Sequence, residues 1–220
     1  AVTSIAHRIS GVLMFLSFPI GEADVDAWWD DRQDAKLEAH ALRSLLSELS
    51  VASASAQGLI ERNTRMIELA SRISDNPTAL VSGVKLNLQA LFASVPYDLR
   101  LRTYDELNNS GQFHILSDRE LRLLLTDFDA MAKVLVGYEQ QMQIQWNQTA
   151  RPILYRTTAF GGLGADHRVL ADVSAAAKEE LRNVIVDRSS FAMVHKSMVE
   201  DFLPLISELE SRITSRIALD

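Results

Sequence analysis

Apolar residues recur at helical spacing along most of this chain. Leu42, Leu49, Ala56, Asn63 and Ala70 fall seven apart, and Leu45, Ala52, Leu59, Met66 and Ile73 form a second seam beside them. With no proline between Gly21 and Pro77, the pattern predicts one stem helix of roughly 45 to 50 residues, from about Asp26 to Ser74 and roughly 70 Å long. The small residues of SVASASAQG (50–58) let a partner helix approach closely, while Gly58 weakens the helix and marks a place where it can bend. Asn63 interrupts the seam. It either fixes register against a partner or sits tolerated near the surface, and the second is the simpler expectation.

SDNPTA ends the stem, because Pro77 disfavours helix at the residue before it. TALVSGVKLNLQALFAS (78–94) then predicts a second, buried helix carrying Leu80, Val84, Leu88, Leu91 and Phe92. Thr103 with Glu106 reads as a capping box for a short helix from Tyr104 to Asn109 that stops at Gly111. QFHIL (112–116) reads as an extended connector seating Phe113, Ile115 and Leu116 in the core. Ser117 with Glu120 reads as a second capping box, for a long helix running to Arg151-Pro152. TTAFGGLGADH (157–167) is a glycine-rich connector without the spacing of a phosphate-binding loop. Helices follow over about 168–186 and 190–217, the latter with a kink at Pro204. The expected fold is all-α: an elongated antiparallel bundle of four or five helices with one long, coiled-coil-like stem, preceded by a short apolar N-terminal helix.

That N-terminal segment stands apart from the rest. Residues 11 to 21, GVLMFLSFPIG, are about half the length that crosses a bilayer core. Extending the run back to Ile5 takes in His7 and Arg8, whose guanidinium can snorkel to headgroups. The segment reads first as a membrane-inserted or membrane-surface helix; a signal-type segment or a soluble packing helix are the alternatives. The chain therefore divides into residues 1–21, membrane-associated, and residues 22–220, a helical aqueous domain. Trp28 and Trp29 follow at the point of exit, where paired indoles suit the headgroup layer; packing at the base of the bundle is the alternative.

Composition narrows the chemistry. With 47% hydrophobic and 23% charged residues the body is globular rather than disordered. A net charge of -7, from 22 basic and 29 acidic residues, argues against nucleic acid as a partner. Zero cysteines exclude disulfides and thiolate chemistry. His7, His40, His114, His167 and His195 form no metal-ligand spacing, and no nucleophile elbow appears. No catalytic residue, metal or cofactor is expected from the residues themselves, and the chain reads as a protein without catalytic activity of its own.

Two family resemblances add to this. Ser4, His7, Arg8, Ser10 and Gly11 resemble the Ser-x-x-His-Arg-x-Ser-Gly pattern opening the first membrane helix of the succinate dehydrogenase cytochrome b subunit. That similarity covers residues 1–20. It implies quinone binding by Ser4 and Arg8, His7 near the haem propionates, and ubiquinone and haem b shared with partner subunits. From Asp26 onward, DAWWDDRQDAKLEAHALRSLLSEL and TYDELNNSGQFHILSDRELRLLL resemble an uncharacterised family of bacterial single-pass membrane proteins with a helical extracytoplasmic domain. This one implies an inner-membrane protein with its helical body on the periplasmic side.

The leading expectation is a membrane-tethered helical domain acting by association with other chains or with itself through the stem. The alternative is an anchor subunit of succinate dehydrogenase. A third reading, a soluble ligand-binding bundle, needs a sizeable cavity between the stem and the helix starting at Asp118.

Overall fold

A computed structural model describes residues 22–76, 85–87, 98–160, 166–169 and 172–218, with the backbone alone for 22–31, 85–87, 159–160 and 166–169. The stem is α1, Glu22–Asp75, 54 residues and roughly 80 Å long. It runs unbroken through Gly58, whose missing side chain faces open space. Every apolar position of the two seams is buried, from Leu42 to Ile73. The body is the all-α bundle that the periodicity predicts.

After the short strand β1, Lys85–Asn87, comes α2, Arg102–Asn109. Its expected capping box does not form, because a residue of the stem takes that role: the Glu48 carboxylate accepts hydrogen bonds from Thr103 N (3.2 Å) and Oγ1 (3.0 Å). At the other end Gly111 turns the chain with φ of 74°, and Gly111 N and Gln112 N close back on the Asn108 and Leu107 carbonyls. QFHIL contains a single 3-10 turn, Phe113–Ile115, rather than an extended connector. Leu116 is fully buried, Phe113 and Ile115 pack against the core, and the Phe113 ring meets Tyr104 edge-on at 5.3 Å.

α3, Arg119–Gln145, begins one residue later than its expected cap. Asp118 accepts from Glu120 N and Leu121 N, while Ser117 is drawn away to the stem, where its N and Oγ both donate to Glu38 at 2.8 Å. The helix does not stop at Pro152. A π turn, Trp146–Ala150, adds a residue to the spiral and leads into α4, Arg151–Thr157, where proline in the first turn costs little.

Strands β2, Thr158–Phe160, and β3, Asp166–Val169, then form a small antiparallel sheet with β1, in the order β1-β3-β2. Here the helices expected across residues 85–87 and from 168 are corrected: both stretches are extended and pair with each other, Lys85 opposite Arg168. The rest of the helix expected over 78–94 lies outside the described residues. Finally α5, Ala175–Ile217, starts at the Ser174 cap and runs as one helix, without a break near 186–190 and through Pro204.

Three long helices make the rod. α5 packs along the stem, antiparallel to it, so that Leu59 and Val199 share one core cluster and Met66 and Leu181 another. α3 runs parallel to the stem and contributes Leu121 to Leu135 to the first cluster; the residues after it, Trp146 to Leu154, join the second. The first cluster includes Phe128 and Phe202, their rings 4.8 Å apart.

Candidate functional site

The seams of the three helices share one irregularity. On α3 the buried series Leu121, Leu125, Phe128, Ala132 and Leu135 continues through Glu139 before Met142 and Trp146 restore it. On α5 the series Leu209, Ile206, Phe202 and Val199 meets His195 before Ala192. On the stem, Asn63 stands between Leu59 and Met66. All three polar residues lie at the same level of the rod, between the two apolar clusters.

They interact. Asn63, 1% exposed, places its Nδ2 3.1 Å from Nδ1 of His195, which is wholly buried. Asn63 donates to that nitrogen when the ring is neutral and carries its proton on Nε2. Arg62, also buried, forms a short ion pair with Glu139 Oε1, the same oxygen that lies 4.0 Å from His195 Nδ1. Tyr138 stacks on the imidazole with centroids 5.7 Å apart and donates its hydroxyl to the Phe191 carbonyl. Arg188 closes the side toward the second cluster, donating to the Met142 carbonyl at 3.2 Å and lying over the Trp146 ring. The expectation that Asn63 is tolerated near the surface is thus corrected: it is a buried member of an interhelical layer.

Burial sets the protonation of this layer. Loss of water, and then the charges of Arg62 and Arg188, bring His195 down from 6.5 to about 4, so it is neutral at physiological pH. Burial raises Tyr138 above its ordinary value, and burial together with Arg62 lowers Arg188. A neutral imidazole beside a carboxylate resembles the parts of a general-base pair. No atom of His195 reaches solvent, so a substrate meets it only if the helices separate.

A second feature lies beside α2. Leu99, Leu101, Tyr104, Phe128, Ala132 and Val136 line a cleft of about 230 Å3 against α3. Its rim carries Arg100, Asp105 and the Lys133–Asp129 ion pair at 2.6 Å. A ligand-binding bundle requires a cavity between the stem and α3; this cleft opens instead between α2 and α3.

The third is a clamp at the far end of the rod. Arg212 of α5 grips Asp118 through Nε at 2.6 Å and Nη2 at 3.1 Å, and Arg216 donates to Ser117 Oγ, which holds Glu38 of the stem. The Arg212 hydrogen bonds hold the Asp118 carboxyl below its usual range.

Of the residues singled out in the sequence, Ser4, His7 and Arg8 lie outside the described residues. Trp28 and Trp29 fall in the first turns of α1, where only the backbone is described. Among the described residues, no helix is long and apolar enough to cross a membrane, and no three His, Asp or Glu side chains group as a metal site. The heptad of the stem alone does not reveal the layer. The same count on α3, arriving at Glu139 after Leu135, is the signal that finds it. Neither a protein-family model, nor a curated protein, nor a solved structure matches the chain.

Proposed function

We propose that the chain is a helical association module tethered to a membrane by residues 1–21, with its rod on the periplasmic side of a bacterial inner membrane. The observation that carries this reading is the apolar cleft between α2 and α3. Its volume is below that of a typical small-molecule site and suits one or two apolar side chains of a protein partner. Exposed Val51, Val134, Met193 and Val194 add apolar surface along the rod through which a second copy can also associate. The tether rests on the apolar run and on Trp28 and Trp29 at its exit.

Two experiments test the two parts. A photo-crosslinking residue in place of Val136, at the cleft, should capture a discrete protein partner in intact cells; labelling no greater than from an exposed site such as Glu208 contradicts an association role for the cleft. Deleting residues 1–21 should move the chain from the membrane fraction to the aqueous one. Unchanged partitioning removes the tether.

The pattern Ser4, His7, Arg8, Ser10 and Gly11 favours a second reading, an anchor subunit of succinate dehydrogenase. Ubiquinone would then bind Ser4 and Arg8, where a hydroxyl and a guanidinium can hydrogen-bond its carbonyls, and haem b would lie near His7. Arg8→Ala should lower quinone reduction in the assembled enzyme, and an unchanged rate contradicts this reading.

A further inference from the structure

We propose that the layer around His195 is an acid-sensitive joint, at which protonation of the imidazole lets the half of the rod beyond it open while the other half stays folded. The geometry supplies the joint. The apolar core is not continuous: one cluster holds Ala41 to Leu59 of the stem with Leu121 to Leu135 and Val199 to Ile213, and the other holds Met66 to Ile73 with Trp146 to Leu154 and Leu181 to Ala192. Among the described residues, the polar layer lies between them on all three helices. The second half also contains the π turn, with its wider hydrogen-bond spacing.

The groups facing His195 oppose a proton on balance. The stem brings Asn63, whose amide donates to the nitrogen that would be protonated, and the Arg62 cation. α3 brings Tyr138, stacked on the ring, and Glu139, the one favourable charge, whose oxygen nearest the imidazole is already engaged by Arg62. α5 itself brings the Arg188 cation. Closed, the layer holds the imidazole neutral down to about 4; open, the ring is hydrated and binds its proton near 6.5. Acid between those values therefore favours the open form, because that form takes up more protons.

The clamp at the other end does not respond over this range. Asp118 is held below the carboxylate range by Arg212, so it keeps its charge through the same mild acid. The two halves should separate in stability as pH falls.

Hydrogen exchange of the full chain at pH 7.5 and pH 5.0, corrected for the pH dependence of intrinsic exchange, reads this directly. Amides in 64–75, 142–157 and 178–192 should exchange roughly 30-fold faster at pH 5.0. Amides in 41–59, 121–135 and 199–213 should keep their rates. Equal acceleration in both halves, or none in either, overturns the proposal in the wild-type chain alone. His195→Gln should abolish the difference, as should His195→Leu, included because either substitution can fail to fold; acceleration that persists in a folded variant also overturns it.

Discussion

Arg212 with Asp118 and Arg62 with Glu139 are the same chemical pair in two settings. The first lies at the end of the rod, one third open to water on the arginine side, and doubles as the cap of α3. The second lies mid-rod with its arginine almost wholly enclosed. In the first setting water screens the charges and the pair adds modestly to a helix end that is already capped. In the second, burying the arginine costs desolvation that the attraction of a half-buried Glu139 only partly offsets, so the pair is weak evidence for stability but very sensitive to loss of the carboxylate. We read the mid-rod layer as a device for register. A one-heptad slip of the stem would carry Asn63 and Arg62 out of the layer and leave His195 facing Ala56 or Ala70 in place of Asn63.

This contrast orders the expected effects. The largest should come from Glu139→Ala, which leaves the Arg62 guanidinium buried without its carboxylate. Urea unfolding should show a loss of about 3 to 5 kcal/mol, and a loss under 1 kcal/mol breaks the contrast between the two pairs. Next is pH. The folded-state value of His195 is depressed below the unfolded one, so its contribution is full above about 6.5 and is lost as pH falls toward about 4. Wild-type stability should decline over that window by up to about 3 kcal/mol more than that of His195→Leu. Smaller is Asp118→Ala, which removes the cap of α3: about 1 to 2 kcal/mol by thermal or urea unfolding. Smallest, and opposite in sign, is Gly58→Ala. The new methyl meets nothing within 4 Å on an exposed helix face, so a gain of about 0.5 to 1 kcal/mol is expected.

The stem was the most legible part of the fold. Its two seams need only local periodicity, and each of their apolar positions is buried as that periodicity requires. The stop at Gly111 and the start of α3 near Ser117 were legible for the same reason, since turn and cap chemistry are local. What was not legible depended on a distant partner. Thr103 reads as a capping residue until Glu48 takes its backbone N–H from 55 residues away, and Asn63 reads as tolerated until His195 is found against it, 132 residues on. Residues 85–87 lie inside a run of helix-compatible apolar spacing, yet they are extended and pair with β3. Pro152 ought to end a helix, and does not because the π turn before it supplies the extra residue. Of the candidate site, the polar residues were each visible singly. Their convergence required the heptad of α3 and α5 to be set beside that of the stem.

The account turns on the layer being closed around a neutral imidazole, and a nuclear magnetic resonance titration of the His195 ring nitrogens tests that most directly. The account predicts a neutral ring with Nδ1 accepting from Asn63 at pH 7, and no protonation until pH approaches 4 or the second half opens. A reversible midpoint near 6.5 in the fully folded chain would contradict it, because it would put His195 in water and leave the three seams without a shared polar layer.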